Sequence, residues 1–68
     1  MAARSIALRP DGRLLAVSTW NGIEVWEVQP LRQVRTLEAP VAIALAFSAD
    51  GQRLYACHHD STVSVYPD

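Results

Sequence analysis

Sixty-eight residues, half of them apolar, make at most one small domain and are too apolar for a disordered chain. Six arginines and no lysine stand against seven acids, a formal net charge of −1, which gives no electrostatic reason to expect a nucleic-acid or membrane partner. No run approaches the roughly 20 apolar residues that span a bilayer as a helix, and Met1-Ala2-Ala3-Arg4-Ser5 lacks the apolar stretch of a signal peptide, so the expected setting is the cytosol.

In chain order, short apolar runs alternate with turn signals. Ile6-Ala7-Leu8 leads into Arg9-Pro10-Asp11-Gly12, where proline presets φ and glycine supplies the positive φ of a tight reversal. Leu14 to Thr19 reads as a strand, and Asn21-Gly22 is a hairpin signal before Ile23 to Val28. Pro30 ends that pairing, and Val34 to Leu37 is a more polar run of the kind that faces solvent at a sheet edge. Val41 to Phe47 is apolar throughout, with Ile43, Leu45 and Phe47 alternating with alanines, which predicts a strand buried on both faces. Ala49-Asp50-Gly51 turns, Arg53 to Cys57 is a strand, His58 to Ser61 turns again, and Thr62 to Tyr66 closes the series. The expectation is all-β, with seven strands and no helix. Cys57 is the single cysteine, so an internal disulfide is excluded, and its place in a strand predicts a small buried hydrophobe.

The same text occurs twice. Ile6-Ala7-Leu8-Arg9-Pro10-Asp11-Gly12-Arg13-Leu14-Leu15-Ala16 and Leu45-Ala46-Phe47-Ser48-Ala49-Asp50-Gly51-Gln52-Arg53-Leu54-Tyr55 lie 39 residues apart. They run into similar endings, Gly22-Ile23-Glu24-Val25-Trp26 and Thr62-Val63-Ser64-Val65-Tyr66. Repetition at this period is the mark of a modular architecture whose units cannot bury their faces alone.

These motifs resemble those of the WD-repeat β-propeller family. Phe47-Ser48-Ala49-Asp50-Gly51 matches its aromatic-Ser-Pro-Asp-Gly turn, with alanine for proline, and Asp60-Ser61-Thr62-Val63-Ser64-Val65-Tyr66 matches its Asp-x-Thr-Val ending, with tyrosine for tryptophan. The first copy keeps Pro10-Asp11-Gly12 and closes in Val25-Trp26-Glu27. Arg53-Leu54-Tyr55-Ala56 through Thr62-Val63-Ser64-Val65 is also similar to the bacterial YVTN-type propeller repeat. The resemblance implies antiparallel blades: one of four strands over residues 4–38, and one of three strands over 41–67 whose outer strand is missing. That makes about one and three-quarter blades, an incomplete propeller spanning 1–68.

Two departures matter. The family's Gly-His before the inner strand is replaced by Leu37-Glu38-Ala39-Pro40, and the first copy's Trp20-Asn21-Gly22 turn lacks the family's aspartate. The family's buried His–Ser/Thr–Asp–Trp network therefore has no place in either copy, and the blades are expected to lean on apolar packing. A propeller ring has roughly 4–8 blades of four strands, so two blades imply a piece of a longer propeller, a self-assembling unit or an orphan sheet pair. The open edge at Thr62–Tyr66 offers a strand acceptor for a second copy.

Candidate sites follow from this frame. Asp11, Gly12, Asp50, Gly51 and Asp60 are expected to be structural turn residues. His58-His59-Asp60 is the one cluster of metal-ligand types, but two same-side ligands fall short of the three or four that zinc takes, so no metal and no cofactor is expected. A triad of Ser48, His58 and an aspartate is set aside, because the resemblance puts Ser48 and His58 at opposite ends of the blade. Trp20, Asn21, Glu38, His58 and His59 are the candidate partner-binding residues. Trp20 either stands exposed as an interface anchor or folds back onto its own blade, and Trp26 and Tyr66 are expected in the core.

The resemblance thus implies a non-catalytic protein-interaction scaffold whose partners are proteins or further blades. The alternative is a wall segment of a lactonase-like or sensor-type propeller enzyme with its active residues elsewhere. That reading would want polar residues at the central channel end, where only Arg4 and Glu38 stand.

Overall fold

A computed structural model describes residues 5–67; Arg4 lies outside the described residues. Seven strands follow one another: β1 (Ser5–Leu8), β2 (Leu14–Thr19), β3 (Gly22–Val28), β4 (Leu31–Leu37), β5 (Ala42–Phe47), β6 (Arg53–His58) and β7 (Val63–Pro67). They form two antiparallel meanders, β1-β2-β3-β4 and β5-β6-β7. The fold is the all-β, two-blade arrangement that the sequence implies.

The duplicated turn motif makes the same turn twice. Gly12 and Gly51 adopt φ of 74° and 73°, and their N–H groups bond back to the carbonyls of Arg9 (2.7 Å) and Ser48 (2.9 Å). The aspartate before each glycine then receives the N–H two residues on, Arg13 to Asp11 at 2.9 Å and Gln52 to Asp50 at 3.0 Å. This Asx geometry needs a short acceptor side chain, which is why aspartate recurs there. Arg9 adds an ion pair to Asp11 at 2.7 Å, where the second copy uses the Ser48 hydroxyl, 2.5 Å from Asp50.

Gly22 answers to a different constraint. Its φ is 133°, and a Cβ there would collide with the Leu37 carbonyl oxygen. The β2–β3 turn is thereby pressed against the chain leaving β4.

The core lies between the sheets. Ala16 and Ile23 of the first blade meet Ala42, Leu54 and Ala56 of the second, with Leu37, Leu45, Phe47 and Tyr66 packed around them. Three alanines at the contact let the sheets approach closely. Burying Ile23 completely contributes about 1.5–3 kcal/mol. One polar contact also crosses the seam, where the Leu45 N–H donates to the Ser5 hydroxyl oxygen at 3.3 Å.

Four expectations are corrected. β4 begins at Leu31 rather than Val34, directly after Pro30, because proline blocks pairing only at its own missing N–H. β5 is covered on one face: Leu45 and Phe47 turn inward, Ala44 and Ala46 are exposed, and Ile43 is an exposed bulge residue at a register shift opposite β6. Tyr66 packs on the core, but Trp26 is only half-buried on the first blade's outward face, its indole N–H donating to Glu24 at 3.0 Å. His58 belongs to β6 and not to the turn.

Candidate partner-binding rim

Strands β2, β4 and β6 run in one direction in their meanders, so the residues following them gather at one end of the blade pair. Trp20 and Asn21 follow β2, Glu38 follows β4, and His59 and Asp60 follow β6. The three segments interlock: Gly22 sits against Leu37 and Ala39, and the His59 N–H reaches the Val41 carbonyl at 3.4 Å. Trp20 is 61% exposed. Asn21, Glu38 and His59 are exposed at the same end.

His58 separates from this set. It is 1% exposed, with Nδ1 3.0 Å from the Pro40 carbonyl and Nε2 2.8 Å from the Ser64 hydroxyl. A carbonyl oxygen only accepts, so Nδ1 carries the proton and Nε2 accepts from Ser64. His58 thus fastens the segment before β5 to β7 across the end of β6 and presents nothing to a partner. Its neighbours in sequence, His59 and Asp60, disguise it as a loop residue. The surviving signal was its position one residue after the apolar run Leu54 to Cys57.

The buried polar residues at this end are satisfied largely by backbone groups. Ser18, Thr19 and His58 are all buried, and no buried side-chain polar atom among the described residues lacks a partner. The Thr19 hydroxyl donates to the Gly22 carbonyl at 3.3 Å and accepts the Asn21 N–H at 3.1 Å. Asp60 accepts from the N–H and hydroxyl of Thr62 at 3.0 and 2.6 Å. Buried polar side chains thus share in the packing at this end, which is less purely apolar than expected.

Asp60 is held below its ordinary value of 3.8, first by the Thr62 hydroxyl and then by the Thr62 N–H. Asp50 is lowered first by the Ser48 hydroxyl, and Asp11 first by the Arg9 guanidinium. All three are ionised turn anchors, committed to their own loops. Ser48 lies in the β5–β6 turn and His58 at the far end of β6, so they do not meet. Among the described residues no group of three or more His, Cys, Asp and Glu could hold a metal ion.

Stacked antiparallel meanders carrying a 39-residue internal repeat define the blades of an incomplete β-propeller. The family described as WD domain, G-beta repeat matches residues 31–66, and this chain belongs to it. The match begins on β4 and ends on β7, so the sequence repeat straddles both sheets, one strand out of step with the structural blade.

Two curated relatives carry the name small ribosomal subunit protein RACK1. The one from Saccharomyces cerevisiae is 35% identical over 72 aligned residues and the one from Candida albicans 33%, each alignment taking in 91% of this chain. The chain spans 23% of the length of these relatives. Among solved structures, the β-propeller domain of Myceliophteria thermophila Cps50 (Swd1) superposes with a TM-score of 0.88 over 98% of this chain and 23% of that one, at 22% identity. At that identity the likeness concerns the fold. No helix among the described residues is long and apolar enough to cross a membrane.

Proposed function

We propose that this chain is a non-catalytic protein-interaction scaffold of the cytosol, which works alongside further WD-type blades and meets its partner through the rim of Trp20, Asn21, Glu38 and His59. The observation that carries the reading is the 61% exposure of Trp20 in the β2–β3 turn. Tryptophan combines large apolar area with an N–H donor, and such residues anchor protein interfaces out of proportion to their number. The RACK1 relatives bear a name that places them in a ribosomal subunit, an assembly of many components, which accords with a scaffold role here. A second meeting place is the outer edge of β7, Val63 to Pro67, which pairs with no strand among the described residues and can accept one from another copy.

The test is affinity capture with the chain and its Trp20→Ala variant, followed by titration calorimetry on whatever recombinant protein distinguishes them. Binding lost on W20A with the fold intact supports the reading. A chain that captures nothing, or captures identically after the substitution, overturns the rim.

A further inference from the structure

Both outward faces of the blade pair are apolar, and the internal repeat makes each the counterpart of a face already buried between the blades. On the first blade Ile6, Leu8, Leu15 and Trp26 point away from the second; Ile6 is 61% and Leu8 57% exposed. Their repeat counterparts, Leu45, Phe47, Leu54 and Tyr66, form the second blade's side of the existing seam. On the second blade Ala44, Ala46, Tyr55, Val63 and Val65 point away, Val63 being 65% and Val65 53% exposed. Their counterparts, Ser5, Ala7, Ala16, Ile23 and Val25, form the first blade's side. The two outward faces are therefore the two halves of one interface.

We propose that copies of this chain stack head to tail, the Ile6–Leu8–Trp26 face of one covering the Ala44–Tyr55–Val65 face of the next, so that the packing within a chain is repeated between chains. This rests on the reading above that the blades work alongside further blades. A second copy fits better than an unrelated surface because the chain already shows this pairing of face types working. A net charge of −1 sets little repulsion between copies. The contact is heterologous, so it closes into a ring where the rotation permits.

The geometry names a cross-link. Within the chain the Leu45 N–H touches the Ser5 hydroxyl at 3.3 Å; the counterparts of these residues are Ile6 and Ala44, which places Ile6 of one copy beside Ala44 of the next. With Cys57→Ser to remove the native thiol, Ile6→Cys and Ala44→Cys chains are prepared separately, mixed and oxidised. The mixed disulfide is expected in several-fold excess over either same-variant dimer, and light scattering on the unmodified chain should give the mass of two or more copies. Val65→Glu should return it to the mass of one copy with its circular dichroism retained. If that variant fails to fold, the cross-link pattern still decides. A single-copy mass at every soluble concentration overturns the proposal, as do dominant same-variant disulfides or assembly that requires further blades of a longer polypeptide. Loss of W20A-sensitive capture with mass and cross-links unchanged would instead sink the rim alone.

Discussion

The hydroxyl of Ser64 on β7 lies 2.8 Å from Nε2 of His58 on β6, closing a buried bridge whose other end is the Pro40 carbonyl. The imidazole has no solvent route to replace either partner. Ser64→Ala should therefore lower stability by about 1–3 kcal/mol, the cost of leaving a buried acceptor unsatisfied. His58→Ala, which also opens a cavity, should cost about 2–5 kcal/mol. Thermal and urea melts of the two variants check the order; equal stability of all three chains would show the bridge to be idle.

Gly22 and Gly12 both have positive φ, yet they should respond differently to alanine. At Gly12 a Cβ meets nothing within 4 Å, so the substitution carries only the backbone cost of about 1–2 kcal/mol. At Gly22 it also strikes the Leu37 carbonyl, which is backbone and cannot swing aside, so the loss should exceed that of Gly12→Ala by about 1–3 kcal/mol. Melting the two variants side by side tests the difference. A milder effect at Gly22 would contradict the close approach.

Asp11, Asp50 and Asp60 each titrate below the ordinary 3.8 in the folded chain. Their contribution is present above the unfolded value and is lost as pH falls through the lower folded values, because the unfolded chain then binds protons first. The melting temperature should fall as the pH is taken from about 5 down through that acid range. Replacing all three by asparagine should flatten the acid limb. An acid limb unchanged in that triple variant would assign the drop to other groups.

Leu54 is 3% exposed and sits in the cluster that joins the two blades. Leu54→Ala should cost about 2–5 kcal/mol, comparable to the whole stability expected of a chain this size, at about 0.05–0.15 kcal/mol per residue. Tyr55→Ala, on the outward face at 37% exposure, should leave the isolated fold nearly unchanged. Circular dichroism separates a collapsed Leu54 variant from a folded Tyr55 variant.

Strand positions and turns were readable because they are local. The Asp-Gly pairs and the period-two runs carry their geometry within a few residues, and duplication at 39 residues made each copy a check on the other. His58 was not readable as a buried residue, because its partners Pro40 and Ser64 approach from either side in the fold and the flanking His59 and Asp60 are solvent-facing. Trp20 was recognised as a candidate, but its two orientations are equally compatible with a Trp-Asn-Gly turn.

The chain's own text thus determined that it folds as antiparallel WD-type blades, since apolar alternation and turn chemistry act over short range. Tertiary structure alone decided that β5 has one covered face, that His58 is a buried tie, and that Trp20 is largely exposed. Those facts depend on which surfaces meet across the seam, and burial is a property of neighbours supplied from elsewhere in the chain.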